Sequence, residues 1–227
     1  MPTPPRRILL ALTSQDRLGD GGGPTGYYVP EAAHPWEVFR RAGHEVSFVS
    51  VRGGRPPETG YDPDDPVQRA FRDDPDVAKA LADTPTADRL DPADYAAVYF
   101  VGGHGTMWDF PDAADLAALA RDVYEAGGVV AAVCHGPAAL VNLTLSDGRP
   151  LVAGKAFAAF TNEEEEAVGL ADTVPFLLQE KLEERGGVHV RAPKFQPCVV
   201  VNERLATGQN PASAAGVAEA AVKLLAG

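Results

Sequence analysis

The 227-residue chain has few cysteines, fewer basic than acidic residues, and no long apolar run. Its two cysteines, Cys134 and Cys198, are too few for a disulfide framework, so we expect free thiols in a reducing, cytoplasmic compartment. Twenty basic against 32 acidic residues give a net charge of −12, which repels nucleic-acid backbones and anionic lipids. No apolar run approaches the roughly 20 residues that cross a bilayer, and Met1–Arg7 lacks the long apolar core of a signal peptide. The sequence therefore argues against a nucleic-acid-binding, membrane or secreted protein.

The composition is typical of a folded globular protein. Hydrophobic residues make up 45% of the chain, which is enough for a full core at this length. The 23 glycines and 20 prolines together stay below the share of roughly 25–30% that signals disorder. We predict a single domain over residues 1–227, with a loop-rich insertion at 52–92 in which Gly, Pro and Asp dominate.

Short apolar runs alternate with segments of helical spacing along the chain. Strands are predicted at Arg7–Thr13, Glu45–Val51, Ala97–Val101 and Val129–Val133. Helices are predicted at Pro35–Ala42, Asp76–Ala82, Asp112–Ala126 and Pro211–Leu225. A late hairpin is predicted from Cys198–Val201 and Arg204–Thr207. This alternation is typical of a parallel sheet covered on both faces, so the predicted class is an α/β sandwich with a mainly parallel central sheet and a C-terminal hairpin.

Cys134 directly follows the apolar run Val129–Val133 and precedes a predicted helix that ends at about Leu143. In such folds, binding sites lie at the carboxyl ends of the strands. The order of strand, sharp turn and helix is that of a nucleophile elbow, with sulfur in place of the serine oxygen. A helix N-terminus is expected to lower the pKa of a thiol placed there. We interpret Cys134 as the nucleophile and Cys198, within an apolar hairpin strand, as a buried structural thiol.

A cluster of sequence Gly-Gly-His-Gly ends the preceding strand. Adjacent strand ends place the N–H groups of Gly102 and Gly103 beside Cys134, where they can bind a developing oxyanion together with the N–H of His135. A flexible turn is the alternative. A phosphate cradle is disfavoured, because the Walker lysine and the full dinucleotide spacing are missing. Trp108, in the next loop, either lines the mouth of the pocket or packs in the core.

Four segments carry a further signal: 25–35 (TGYYVPEAAHP), 101–112 (VGGHGTMWDFPD), 133–140 (VCHGPAAL) and 207–214 (TGQNPASA). Together they resemble the ThiJ/PfpI superfamily, and most closely its branch of glutathione-independent glyoxalases and stress chaperones of the glyoxalase III type. The resemblance runs from about residue 6 to the C-terminus. It implies a flavodoxin-like, class I glutamine amidotransferase-like three-layer fold.

The resemblance also implies site residues. Glu31 matches the family's glutamate on the loop after the first strand, where a carboxylic acid beside a thiol can shuttle a proton. His135 matches the histidine of a catalytic triad. The triad acid matches Glu165, with Glu164 as the alternative, because the four consecutive glutamates at 163–166 leave the alignment open by one residue. Such a run otherwise predicts a solvated helix N-terminus.

No metal site is predicted. His34 and Glu37 lie three residues apart on one predicted helix face, but two ligands do not make a site.

The function implied by the resemblance is that of a lyase, a glutathione-independent glyoxalase. It would convert methylglyoxal or a similar 2-oxoaldehyde to a 2-hydroxy acid such as lactate through a hemithioacetal on Cys134. No redox cofactor is expected, because oxidation at one carbon balances reduction at its neighbour. Two alternatives stay open: a cysteine-dependent amidase or peptidase, and a holding chaperone or redox-stress sensor. A closed homodimer is expected.

Overall fold

The computed structural model describes residues 6–227, so Met1–Pro5, part of the start in which no signal peptide is predicted, lies outside the described residues. The strands are β1 (Arg7–Leu12), β2 (Tyr27–Tyr28), β3 (Glu45–Ser50), β4 (Glu58–Thr59), β5 (Ala97–Phe100), β6 (Val129–Val133), β7 (Ala156–Phe157), β8 (Val188–His189), β9 (Val199–Asn202) and β10 (Leu205–Gly208). The α-helices are α1 (Val29–Arg41), α2 (Pro66–Asp73), α3 (Pro75–Ala82), α4 (Thr106–Asp109), α5 (Ala114–Glu125), α6 (Asn162–Ala167), α7 (Leu178–Glu184) and α8 (Ala214–Ala226). Short 3-10 helices span Ala87–Arg89, Pro92–Asp94, Gly136–Leu140 and Pro211–Ser213. Within residues 6–227, no helix has the length and apolar character needed to cross a membrane.

The central sheet has the strand order β3-β1-β5-β6-β10-β9. All neighbouring strands are parallel except β9 and β10, which form the predicted antiparallel hairpin. Two short pairs, β2 with β4 and β7 with β8, lie outside this sheet. Because β6 lies between the parallel strands β5 and β10, the carboxyl ends of all three meet at one edge.

Helices cover both faces of the sheet, since strand side chains alternate between two apolar clusters. Leu9 of β1 packs in the cluster that includes Leu119 of α5. Its neighbour Ile8 packs in the other cluster, with Phe39 of α1 and Val217 of α8. Burial on both sides is why the central strands are almost continuously apolar. The predicted three-layer α/β fold is confirmed.

Helix α1 begins at Val29, well before the predicted start at Pro35. Pro30 occupies the first turn, where its missing N–H costs nothing, while Pro35 lies inside the helix. The earlier start places Glu31 in the first turn of a helix. The expected loop position of Glu31 is therefore wrong.

The segment 52–92 contains two helices besides its loops. Helix α3 coincides closely with the predicted helix at Asp76–Ala82, whereas α2 is not predicted from the sequence. Asp65 and Asp74 cap these helices, and each side chain accepts hydrogen bonds from two backbone N–H groups. Strand β4, in the same segment, pairs with β2 and brings Thr59 toward the edge of the sheet where the elbow lies.

Candidate active site

The chain turns sharply at Cys134, the first residue after β6. Its φ of 59° lies in the left-handed region that residues with a side chain rarely adopt. Neighbouring segments hold this turn: the Cys134 N–H donates to the Gly208 carbonyl at 2.9 Å, and its carbonyl accepts from the Phe160 N–H at 3.0 Å. A Cβ on Gly136 would lie 2.3 Å from the Phe100 carbonyl oxygen, so only glycine fits there. The predicted elbow geometry is present.

The electrostatic surroundings of the Cys134 thiol differ from the expectation. The helix that follows is a five-residue 3-10 helix, in place of the predicted helix to Leu143, and offers only a short dipole. Burial, and then the Glu31 carboxylate, raise the pKa of the Cys134 thiol, while the His135 N–H lowers it only in part. The expected lowering of this pKa is therefore wrong. The thiolate must form by transfer of its proton to a neighbouring base.

Glu31 lies beside Cys134 with its side chain fully buried. Among the described residues, neither carboxyl oxygen of Glu31 has a hydrogen-bond partner of normal geometry. Burial raises the pKa of Glu31 to about 8, against smaller opposing effects of the Cys134 sulfur and the Gly102 N–H. At neutral pH this carboxyl therefore carries its proton, and its oxygens are free for a bound molecule.

His135 connects the thiol to a carboxylate. Its Nδ1 lies 3.3 Å from the Cys134 Sγ, and its Nε2 lies 2.7 Å from Oε2 of Glu165. An ionised carboxylate only accepts hydrogen bonds, so Nε2 carries the proton and the Nδ1 lone pair faces the sulfur. Burial, together with nearby His104, lowers the pKa of His135 to about 4, so the ring is neutral at pH 7 and able to accept the thiol proton.

His104 is a second imidazole on the same carboxylate, and it is not among the site residues predicted from the sequence. Its Nε2 lies 2.9 Å from Oε1 of Glu165, and its ring centre lies 4.0 Å from that of His135. Burial of Glu165 opposes its ionisation, but the hydrogen bonds from His104 and His135 outweigh this and lower its pKa to about 2. The sequence signal that could have identified His104 is its position, because His104 follows β5, the strand that pairs with β6.

The two central glutamates of the run at 163–166 have different tasks. Both are buried, at 0% exposure for Glu164 and 2% for Glu165, so a fully solvated helix N-terminus is wrong although α6 does begin there. Glu165 faces the two histidines. Glu164 instead forms a capping box with Thr161, and its Oε1 accepts hydrogen bonds from the side chains of Gln209 and Asn210.

The glycine cluster fits tightly around the elbow. A Cβ on Gly102 would lie 2.3 Å from Oε2 of Glu31, and one on Gly103 would lie 2.3 Å from the Gly26 carbonyl oxygen. Gly103 also has a φ of 112°, which disfavours any side chain. Gly103 lines the pocket, whereas the Gly102 N–H faces Glu31. Trp108 is not among the lining residues and packs against a core cluster, so the structure favours its packing role.

Cys198 is not in a buried strand. It precedes β9, an edge strand, and is partly exposed. Val199 and Val201 of that strand are 38% and 47% exposed, which corrects the expectation of a buried structural thiol.

The side chains that could bind a metal ion are mostly engaged in hydrogen bonds or ion pairs. His34 forms a hydrogen bond with Asp65 at 2.8 Å, and Glu37 forms an ion pair with Arg41. His34 and Glu37 therefore have different partners and do not form a common metal site. Among residues 6–227, the group with donor atoms within 4.8 Å of one another is His104, His135 and Glu165. A cation there would have to replace the imidazole–carboxylate hydrogen bonds.

One pocket of about 340 Å³ gathers these groups. Its lining residues are Leu18, Pro24, Thr25, Tyr28, Glu31, Thr59, Gly103, His104, Cys134, His135, Phe160, Val168, Leu170, Phe195 and Pro211. None of these described lining residues is a lysine or an arginine. The pocket therefore combines a thiol, a buried carboxyl and two imidazoles with a largely apolar wall.

A model of the DJ-1/PfpI family matches residues 26–224. The chain belongs to the DJ-1/PfpI family. It is 36% identical over 238 aligned residues to Glutathione-independent glyoxalase HSP31 of Saccharomyces cerevisiae, a match that covers 97% of this chain and 98% of the relative. 

Solved structures of similar length share the fold. Rapid Encystment Protein 24 KDa of Francisella tularensis superposes with a TM-score of 0.93 at 33% identity, covering 97% of this chain and 99% of that one. Glyoxalase III from Candida albicans superposes with a TM-score of 0.89 at 34% identity, covering 96% and 97%.

The segments on which the family resemblance rests surround the pocket of this DJ-1/PfpI chain. Segment 25–35 contributes Glu31, segment 101–112 contributes His104, and segment 133–140 contributes Cys134. Segment 207–214 contributes Pro211 to the lining. Residues far apart in the sequence thus meet at one edge of the sheet.

Proposed function

We propose that this chain is a glutathione-independent glyoxalase that converts a 2-oxoaldehyde to a 2-hydroxy acid, with methylglyoxal and lactate as the simplest pair. The observation that carries the proposal is the buried, protonated Glu31 carboxyl beside the Cys134 thiol, with the neutral His135 ring on the same sulfur. Relatives at 36% identity over nearly the whole chain are named as glyoxalases, which supports the same assignment.

The first step in this proposal is addition of the thiol to the aldehyde. His135 Nδ1 accepts the Cys134 proton as the sulfur bonds to C1, and Glu165 stabilises the imidazolium that forms. Glu31 donates its proton to the C1 oxygen, which becomes the hydroxyl of a hemithioacetal, and Glu31 is left ionised. The N–H of His135 and the backbone at Gly103 are the proposed donors to this oxygen.

The second step moves hydrogen from C1 to C2. Glu31, ionised in the first step, removes the C1 proton while the His135 imidazolium protonates the C2 oxygen, which gives an enediol. The Glu31 carboxyl then returns its proton to C2 and takes up the proton of the C1 hydroxyl, which leaves a thioester on Cys134. A pKa of about 8 suits both directions of transfer near neutral pH. Water finally hydrolyses the thioester, which releases the 2-hydroxy acid and restores the thiol. C1 is oxidised and C2 is reduced by the same two electrons, so the reaction balances without an external oxidant.

Independence from glutathione agrees with the charges in the pocket. Glutathione carries two carboxylates, and no lysine or arginine lies among the described residues that line the site. Cys134 itself supplies the thiol that glutathione would otherwise provide.

Lactate production from methylglyoxal without added glutathione is the direct test. Purified protein is expected to form D- or L-lactate, measured with configuration-specific lactate dehydrogenases, while Cys134→Ser protein forms none. Hydrolysis of amide or peptide substrates without lactate formation would instead identify a hydrolase. Protection of an aggregating client by both proteins, with no lactate from either, would identify a holding chaperone.

We also propose a closed homodimer acting in the cytoplasm, where reducing conditions keep the Cys134 thiol free. Exposed valines on the edge strand β9 support self-association. A sedimentation mass near 23.9 kDa at micromolar concentration would refute the dimer.

A further inference from the structure

Much of the pocket wall is apolar and has no part in the proposed chemistry. Leu18, Phe160, Val168, Leu170 and Phe195 contribute to this wall. Methylglyoxal has only one methyl group to place against it. A volume of about 340 Å³ falls instead in the range of pockets that take considerably larger ligands.

Phe195 is the part of this wall whose position most needs an explanation. Phe195 lines the pocket, is 46% exposed, and lies on a segment outside regular secondary structure. Its φ is 62°, in the left-handed region that a bulky residue rarely adopts. Such backbone strain persists only where the surrounding structure enforces it.

The buried carboxylate of Glu164 holds the backbone at this point. Its Oε1 accepts a hydrogen bond from the Phe195 N–H at 2.7 Å, and also from the side chains of Gln209 and Asn210 at 3.0 and 2.8 Å. Burial opposes ionisation of Glu164, but the hydrogen bonds from Asn210, Thr161, Gln209 and Phe195 keep its pKa below the ordinary value. The carboxylate therefore stays charged and binds all these donors strongly.

The rest of the segment is fixed by the same motif. Gln209 pairs with both backbone groups of Ala192, accepting at 2.9 Å and donating at 3.3 Å. Asn210 donates to the Gln196 carbonyl at 2.7 Å. The segment is thus tied on both sides of Phe195. The polar residues of segment 207–214, which the proposed reaction does not use, build a rigid wall.

We propose that Phe195 is a specificity-determining residue and that the pocket takes 2-oxoaldehydes whose substituent is an apolar group larger than methyl, such as an aryl group. This inference rests on the proposed glyoxalase function. The chemistry is unchanged: R–CO–CHO takes up one water and becomes R–CHOH–COOH, with C1 oxidised and C2 reduced. The absence of lysine and arginine among the described lining residues disfavours an anionic substituent.

The test compares phenylglyoxal with methylglyoxal, with the free-aldehyde fraction of each measured by NMR. Wild-type kcat/KM is expected to be about tenfold higher for phenylglyoxal. Phe195→Ala is expected to remove about tenfold for phenylglyoxal and to change methylglyoxal by less than about threefold. Phe195→Leu, which keeps an apolar side chain, is expected to retain part of the preference. Equal wild-type values, or equal losses for both substrates in Phe195→Ala, overturn the proposal.

Val201→Ala is the matched control. Val201 is 47% exposed, close to the 46% of Phe195, and does not line the pocket. The ratio of the two kcat/KM values should stay at the wild-type level in this variant. A change as large as that in Phe195→Ala would show that any truncation near β9 has the same effect, and would overturn the assignment to Phe195.

A binding measurement separates this inference from the proposed function. Two neutral diols, 1-phenylethane-1,2-diol and propane-1,2-diol, mimic the size of the two enediols, and each is tested for protection of Cys134 against iodoacetamide. Stronger protection by the phenyl diol, lost in Phe195→Ala, supports the apolar wall even if neither aldehyde is turned over, in which case the glyoxalase function alone fails. Lactate formation with no preference in rates or protection leaves the function and overturns this inference.

Discussion

Two valine-rich segments of the chain each adjoin a cysteine, and the fold buries one segment inside the sheet and leaves the other at its edge. Val129–Val133 forms the interior strand β6, and each of its residues is at most 1% exposed. Val199–Asn202 forms the edge strand β9, where Val199 and Val201 are 38% and 47% exposed. Cys134 closes the first segment on a strained turn, and Cys198 opens the second on the surface side.

The comparison shows that accessibility and reactivity of a thiol are separate properties. Cys198 is the more exposed, but within residues 6–227 its thiol forms hydrogen bonds with backbone groups, at Val190 and Ala192. Cys134 is buried, but it touches a proton donor in Glu31 and a base in His135. The proposed reaction is therefore assigned to Cys134, the less exposed thiol.

Replacing each thiol in turn should give the largest contrast between the regions. Cys134→Ser is expected to abolish turnover with the fold intact, because the serine hydroxyl is far less acidic and His135, with a pKa of about 4, is too weak a base to ionise it. Cys198→Ser should keep wild-type rates. Lactate assays with thermal melting on both proteins check this. Normal rates in folded Cys134→Ser would remove the glyoxalase and the hydrolase together.

Removing the proton of Glu31 should give the next largest effect. Glu31→Gln keeps the shape but is expected to lower kcat/KM by roughly two to four decades if Glu31 is a general acid–base. In wild type, kcat/KM should fall above about pH 8, where the buried carboxyl loses its proton. Rate–pH profiles measure this. A loss of less than about threefold would make Glu31 only a neighbour of the thiol.

The same substitution should stabilise the protein. The pKa of Glu31 is raised from 4.5 to about 8 in the fold, so the folded state keeps a proton that the unfolded state loses as pH rises through this window. Wild-type stability therefore falls between about pH 4.5 and pH 8, and Glu31→Gln should escape this loss. We expect an advantage on the order of 1–3 kcal/mol at pH 8 and little at pH 4.5, measured by urea unfolding. Equal stability at both values would contradict the raised pKa.

Substitutions of the adjacent residues Glu164 and Glu165 should have smaller effects, one on stability and the other on rate. Glu165→Gln should reduce the rate by roughly 100-fold, because His135 loses its ionised partner and its fixed tautomer. Glu164→Gln should instead cost about 2 kcal/mol or more of stability, since several buried donors lose a charged acceptor. Unfolding curves and methylglyoxal kinetics on both variants distinguish the roles. If Glu164→Gln lowers the methylglyoxal rate more, the triad acid is Glu164.

Alkylation should distinguish the roles of Cys134 and Cys198 without any substitution. Cys198 is partly exposed, so we expect iodoacetamide to label both thiols, with loss of activity following only the label on Cys134. Mass spectrometry at limiting reagent, with activity measured in parallel, gives the two time courses. Activity that survives complete labelling of Cys134 would mean that the elbow thiol has no catalytic part.

Local patterns were sufficient for much of the scaffold. The run Val129–Val133 predicted β6 with its observed bounds, and the motif around Cys134 predicted the elbow. The predicted start of α1 at Pro35 is wrong, because a proline inside a helix has the same local sequence pattern as a proline at a helix start. The run of glutamates looked solvated, because a charge pattern does not reveal that partners such as His104, His135 and Asn210 come from distant segments.

The sequence by itself determined the alternation of strands and helices, the family motifs, and the choice of Glu31, Cys134, His135 and Glu165. The alternation and the elbow thiol depend on short-range spacing, which determines whether an apolar run becomes a strand and where it ends, whereas Glu31, His135 and Glu165 follow from the resemblance to the family. The tertiary structure alone decided which apolar strand is interior, that His104 shares the Glu165 carboxylate, and that Glu164 holds Phe195 in the pocket wall. It also set the protonation of the site, since the raised pKa of Glu31 and the lowered pKa of His135 arise from burial among residues far apart in the chain.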